Sequence, residues 1–170
     1  MSEDFDLQQE NAQEEEDTQE GKYLTFKIGN EEYGFGIRFV TEIIGIQRIT
    51  EVPDVPEYIK GVINLRGKVI PVVDVRLRFG MKEREYDERT CIIVVHVNNT
   101  AVGLIVDSVS EVINIAANDI EAPPQVNKGK GSQYIDGLGK VGQEVKILLE
   151  IQRLLYDDQI EKISASGDPE

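Results

Sequence analysis

The sequence predicts a mainly β protein: two small five-stranded barrels packed together, with short helices and one C-terminal helix. Short β-rich runs recur, separated by turn residues. Helical periodicity is brief wherever it occurs. The chain also repeats itself in one order.

In chain order, Tyr23–Ile28 is a strand that ends at the turn dipeptide Gly29-Asn30, and Glu32–Phe35 returns from it. A short helix is expected around Ile37–Val40. Gly61–Leu65, the turn Arg66-Gly67-Lys68 and Val69–Val73 form a second hairpin. Pro71 places its strand at an edge or beside a bulge. A short helix follows Asp74. Ile92–Val97, Asn98-Asn99-Thr100 and Val102–Val106 make a third hairpin. In the last helix, Ile151–Ile163, the residues Ile151, Leu154, Leu155 and Ile160 keep roughly helical spacing.

A shift of 69 residues lays Tyr23–Gly34 on Ile92–Gly103. It also aligns identical residues: Gly34 with Gly103, Val40 with Val109, Glu42 with Glu111, Ile44 with Ile113 and Ile46 with Ile115. Beyond a longer connector the shift becomes 76, and Tyr58–Gly61 meets Tyr134–Gly137 while Val72–Val75 meets Leu148–Ile151. Two pseudo-repeats, about 22–80 and 91–156, follow from this. Five short twisted strands per half bury their apolar faces by closing into a barrel. The sequence leaves open whether each barrel equals one repeat or the halves exchange strands.

The charge sits mostly in a tail. The 170 residues carry 18 Lys+Arg against 32 Asp+Glu, a net −14. Nine of those acids, and no base, fall in the first 20 residues, leaving −5 on the rest. Residues 1–21 bury too little to offset chain entropy and are expected to be disordered, as are 164–170. That leaves 22–163 as the folded domain. No basic surface serves nucleic acid or anionic lipid, so neither is an expected partner. The longest apolar run, Cys91–Val95, has five residues, far below the roughly 20 that span a bilayer. No basic start precedes an apolar stretch, so export is not expected. One cysteine, Cys91, excludes a disulfide framework and suits a reducing cytoplasm. Cys91 and His96, the only histidine, are too few for a zinc site.

Few motifs suggest chemistry. Gly137–Gly142 fits G-x-G-x-x-G, but the alternating Glu144–Leu149 after it reads as a strand, whereas a dinucleotide site needs a helix there. His96 reads as a strand residue matched by Lys27 in the repeat, and Cys91 as a small hydrophobe with no base nearby. Ser108 and Ser110 lack a nucleophile elbow. Asp74 and Glu150, equivalent in the repeat, read as helix caps. No nucleophile–base set and no metal cluster emerges, so no catalysis and no cofactor are expected. Arg66 stands out. It occupies a hairpin tip whose repeat partner is Gly142, so the turn itself does not require it. A guanidinium there either is simply solvated or forks onto a carboxylate, and Glu42 is the nearest candidate by the repeat.

Gly29–Gly36, Val40–Ile43, Ile59–Gly67, Ile70–Val75, Val102–Val109 and Tyr134–Gly139 together resemble the CheW family of chemotaxis coupling proteins, over about 22–160. The resemblance implies two five-stranded SH3-like barrels. It also implies a non-enzymatic cytoplasmic adaptor between the tips of methyl-accepting chemoreceptors and the regulatory domain of the CheA histidine kinase. The membrane would be met only indirectly, through the receptors. Carried over by position, a receptor-binding groove would include Val40, Glu42, Ile43, Arg66, Cys91 and Val112. The resemblance does not cover the acidic tail. A different reading, a sensor that holds a small molecule in the seam between barrels, stays open; a metabolite-dependent thermal shift would mark it.

Overall fold

The computed structural model describes residues 19–123 and 132–156. The expected disordered segments, apart from residues 19–21, lie outside the described residues, and so does the last helix beyond Tyr156 with Ile160 and Ile163. Among the described residues the strands are β1 Lys22–Ile28, β2 Glu31–Gly36, β3 Val40–Gly45, β4 Ile59–Leu65, β5 Lys68–Asp74, β6 Cys91–Val97, β7 Thr100–Val106, β8 Ser108–Asn114, β9 Ile120–Glu121, β10 Ile135–Val141 and β11 Glu144–Leu149. Two helices of one turn each, α1 Val75–Arg78 and α2 Ile151–Leu155, follow β5 and β11. The helix expected around Ile37–Val40 is a three-residue 3-10 turn, Ile37–Phe39.

Turn chemistry fixes the hairpins. Asn98 and Asn99 take φ of 51° and 62°, and Arg66 and Gly67 take 51° and 86°, so both turns carry two left-handed residues and match strand twist. Helix caps are local too. The Asp74 carboxylate accepts from the Leu77 amide at 3.3 Å, and Glu150 accepts from Gln152 at 3.3 Å. Gly80, with φ 78°, ends α1.

The strands form two sheets, ordered β8-β1-β2-β11-β10-β9 and β3-β6-β7-β5-β4. The halves therefore exchange hairpins. β1–β2 joins strands of the second half, and β6–β7 joins strands of the first. Parallel pairs make the joins: Val72–Asp74 with Gly103–Ile105, and Ile147 and Leu148 with Tyr33 and Gly34. The two-residue β9 is a sixth strand in the first sheet. In the second sheet its place is taken by a single bridge, Thr50 to Val62. That closure requires glycine beside it: Gly61 has φ 144°, and a Cβ there would lie 2.0 Å from the Thr50 carbonyl oxygen. Pro71 is not at an edge. β5 runs between β7 and β4, and the local bulge falls in β4 between Ile59 and Gly61. Proline fits because the parallel ladder starts one residue later, at Val72.

Alternation along these strands creates two kinds of core. Leu24, Phe26, Ile93, Val95, Val73 and Leu149 point between the barrels, together with Leu154 of α2. Ile63, Ile70, Val72, Ile92, Val94 and Ile105 fill the interior of the five-stranded barrel. Arg78 sits where the halves meet, its guanidinium 4.3 Å from the Tyr58 ring centroid and 4.9 Å from that of Tyr134. It also donates to the Leu154 carbonyl at 3.1 Å. Tyr58 and Tyr134 occupy equivalent positions in the repeat, so one cation clamps both halves.

Candidate binding strip on β3

Three of the residues singled out by sequence, Val40, Glu42 and Ile43, lie on β3, and a fourth, Cys91, pairs across from Gly45. A bulge between Val40 and Glu42 changes which face each presents. Val40 and Ile43 oppose Val95 and Ile93, whose side chains belong to the inter-barrel core. Glu42 opposes Val94, which points into the barrel interior. Val40 and Cys91 are half-buried against the inter-barrel core, while Ile43 stays 43% exposed. Val40, Ile43 and Cys91 thus share one apolar strip, and Glu42 emerges on the opposite face.

Arg66 meets Glu42 there. Its Nη2 donates to Glu42 Oε2 at 2.5 Å. The other carboxylate oxygen, Oε1, is buried without a hydrogen-bond partner. With Arg66 71% exposed, this pair adds at most about 1 kcal/mol to stability. Its effect is to orient both groups. Holding a non-glycine residue in the left-handed region costs about 1 kcal/mol. The side chain is retained against that strain at a turn where the other half has Gly142.

Val112 is set apart. It lies on β8 in the other sheet, opposite Leu24, and is 51% exposed. The 69-residue shift makes it the counterpart of Ile43. The structure therefore gathers five of the six residues around β3 and β6 with the β4–β5 turn, and puts the sixth at the equivalent place on the other barrel.

The remaining sequence candidates have local roles. His96 is an exposed strand residue, and Gly137–Val141 lies within β10 with Gly142 in the following turn. Sequence reasoning missed the cluster around Asp107. This carboxylate accepts from Arg76 at 2.8 and 2.9 Å, from Arg84 at 3.2 Å and from the Gly29 amide at 2.8 Å. Burial alone would raise its pKa, but the Arg76 hydrogen bonds, the Gly29 amide and the two positive charges hold it below the usual carboxylate range. The repeat concealed it, because the counterpart of Asp107 is Arg38. No helix among the described residues is long and apolar enough to cross a membrane, and no three metal-binding side chains converge there.

The two sheets and the layer between them define a double-barrel β domain. The chain belongs to the CheW family: the model of the CheW-like domain matches residues 22–159. It is 38% identical over 139 residues to the chemotaxis protein CheW of Klebsiella aerogenes, covering 82% of this chain and 84% of that protein. The chemotaxis protein CheW of Treponema pallidum is 31% identical over 145 residues, covering 83% and 85%. The crystal structure of the scaffolding protein TtCheW from Thermoanaerobacter tengcongensis superposes with a TM-score of 0.75 at 37% identity, covering 82% of this chain and 94% of that one.

Proposed function

We propose that this chain is a cytoplasmic, non-enzymatic scaffold that couples chemoreceptors to the CheA histidine kinase. A receptor's cytoplasmic tip lays apolar side chains along Val40, Ile43 and Cys91, with Val112 as a further contact, in the manner of helix-in-groove recognition. Glu42 and Arg66, paired on the opposite face of the same edge strand, fix the orientation of β3 for that contact. A separate face holds the kinase regulatory domain. By holding both partners in one geometry the scaffold links the two binding events thermodynamically. The observation that carries this reading is Arg66: a charged side chain kept at a left-handed turn position and directed onto Glu42, on the strand whose other face carries the half-exposed apolar strip.

The test is a pair of titrations, one against a receptor cytoplasmic fragment and one against the kinase regulatory domain. Arg66→Glu keeps the circular dichroism spectrum, weakens receptor binding by about 2–5 kcal/mol and leaves kinase binding intact. Wild-type receptor affinity in this variant removes Arg66 from the site. Partial recovery in the Arg66→Glu, Glu42→Arg double variant shows that the internal pair, rather than a direct bond to receptor, is what matters.

A further inference from the structure

The two barrels end differently. Over one end of the five-stranded barrel, the connector between α1 and β6 folds back. Tyr86 packs on the barrel interior and its hydroxyl donates to Asp74 Oδ2 at 2.7 Å. Lys60 pairs with Glu83 and places its ammonium 6.0 Å from the Tyr86 ring centroid. Arg84 donates to Asp107 at 3.2 Å. Only about 10 Å³ stays open between Asp74, Tyr86, Thr90, Ile105 and Asp107.

The repeat carries this plug site onto the other barrel. Thr90, Ile105, Asp107 and Asp74 correspond to Gly21, Gly36, Arg38 and Glu150. Those four residues line a cavity of about 210 Å³ at the end of the six-stranded barrel, with Tyr23, Leu148 and Phe39 as its apolar walls. A cavity of roughly 150 Å³ already holds benzene. The same site is thus filled by a tyrosine in one barrel and open in the other among the described residues.

The repeat does not offer a tyrosine for this end: by the 69-residue shift, the counterpart of Tyr86 is Asp17, a carboxylate rather than a phenol. The rim charges are also inverted. Lys60, which meets Glu83, corresponds to Asp136. Asp107, which meets Arg84, corresponds to Arg38. A plug for this end therefore needs a cation where the connector has Glu83, an acid where it has Arg84, and a tyrosine two residues further on.

We propose that the open end of the six-stranded barrel, between Arg38, Asp136 and Glu150, docks a segment of another polypeptide with the order cation–acid–any–tyrosine. The tyrosine ring enters against Tyr23 and Leu148, and its hydroxyl donates to the Glu150 carboxylate, as Tyr86 donates to Asp74. This surface involves none of the residues of the β3 strip, so it stands or falls independently of receptor binding.

The test uses the full chain and two ten-residue peptides. One has the connector sequence of residues 81–90. The other carries the exchanges Glu83→Lys and Arg84→Glu. Calorimetry is expected to show the exchanged peptide binding tighter by about tenfold or more, from complementary charge at both rim positions. Tyr86→Ala within that peptide abolishes binding. The chain variant Arg38→Asp, Asp136→Lys reverses the preference. If that variant fails to fold, Glu150→Ala alone is expected to weaken the exchanged peptide by a similar factor. Equal binding of the two peptides, or none, overturns the proposal. So does photo-crosslinking from benzoyl-phenylalanine at position 39 to the chain's own residues 1–18, which would make the acidic tail the occupant.

Discussion

The interiors of the two barrels share a backbone plan and differ in chemistry. The five-stranded barrel encloses Ile63, Ile70, Val72, Ile92, Val94 and Ile105, all at most 3% exposed. At the matching positions the six-stranded barrel has Gly139, Lys146, Leu148, Tyr23, Thr25 and Gly36. Thr25 is fully buried; its hydroxyl donates to the Glu111 carbonyl at 2.9 Å and accepts from the Glu111 amide at 3.2 Å. Lys146 is 7% exposed and pairs with Glu32 and with Glu144, the latter at 2.7 Å. One plan thus accepts either an apolar filling or a small polar one, provided every buried polar group has a partner. What both halves keep in common is the layer between them, built from Leu24, Phe26, Ile93, Val95, Val73 and Leu149. Shape is specified there, and each interior is free to diverge.

The sharpest way to break this comparison is to swap Ile70 and Lys146, equivalent positions with opposite fillings. Ile70→Lys puts an ammonium into a shell whose corresponding neighbours are Ala101 and Lys68 rather than Glu32 and Glu144. An uncompensated buried charge costs about 4 kcal/mol or more, so urea unfolding should show a large loss or no folded state. Lys146→Ile is expected to be much milder, within about 2 kcal/mol, because Glu32 and Glu144 keep access to water at 23% and 73% exposure. Equal costs for the two variants would show that the interiors are not distinct environments.

The shared layer should be less forgiving of truncation than the interior of the six-stranded barrel. Leu149→Ala removes a side chain packed between barrels and should cost about 2–5 kcal/mol from lost transfer energy and the cavity left behind. Leu148→Ala, facing the open end of the six-stranded barrel, should fall at the low end of that range, because the void can take up water from the adjoining cavity. A larger loss at Leu148 than at Leu149 would reverse the proposed division between conserved shape and free filling.

Much of this was legible in sequence because the repeat was. The shifts of 69 and 76 residues, read from Tyr23–Gly34 and Tyr58–Gly61, carry β1 Lys22–Ile28 onto β6 Cys91–Val97 and β4 Ile59–Leu65 onto β10 Ile135–Val141, residue for residue. Hairpin exchange was not legible. The parallel joins at Val72–Asp74 and at Leu148 are contacts between distant segments, and either pairing buries the same apolar faces. The face change of Glu42 was hidden for a related reason. Simple alternation would have put Val40 and Glu42 together, and the bulge that separates them has no glycine or proline to announce it. The Asp107 cluster and the Tyr86 plug depend on a connector whose charges take meaning only from where it folds.

The charged groups of the two halves should also separate by pH. Asp107 titrates below the usual carboxylate range in the folded protein. Its contribution is therefore complete above about pH 4 and is lost as pH falls through its folded value. For Lys146, burial alone would lower the pKa, but the hydrogen bonds it donates to Glu144 and Glu32, with their negative charges, outweigh it and raise it. Its contribution is complete below about pH 10 and is lost as pH rises through its folded value. Asp107→Asn should flatten the acid limb of the stability curve and leave the alkaline limb alone, whereas Lys146→Ile should flatten the alkaline limb and also part of the acid limb, because Lys146 holds the Glu144 carboxyl below its ordinary range. Thermal midpoints across the pH range decide it; loss of the alkaline limb in Asp107→Asn would mean that the two clusters are coupled.

The smallest expected effect sharpens the comparison at the hairpin tips. Arg66 and Gly142 both take left-handed φ, 51° and 61°, but only Arg66 has a Cβ to strain. Arg66→Ala keeps that strain and loses the Glu42 contact, whereas Arg66→Gly loses the contact and relieves the strain. The glycine variant should therefore be more stable than the alanine variant by about 1 kcal/mol, and close to wild type. Gly142→Ala on the other barrel should cost about the same 1 kcal/mol, since it introduces the strain with no ion pair in return. Chemical denaturation of the three variants resolves differences of this size. A loss of several kcal/mol in Arg66→Gly would make the Glu42 pair a structural bond of the five-stranded barrel. Near-wild-type stability leaves Arg66 as a side chain retained against its own backbone preference, which is the pattern expected of a residue placed for a partner.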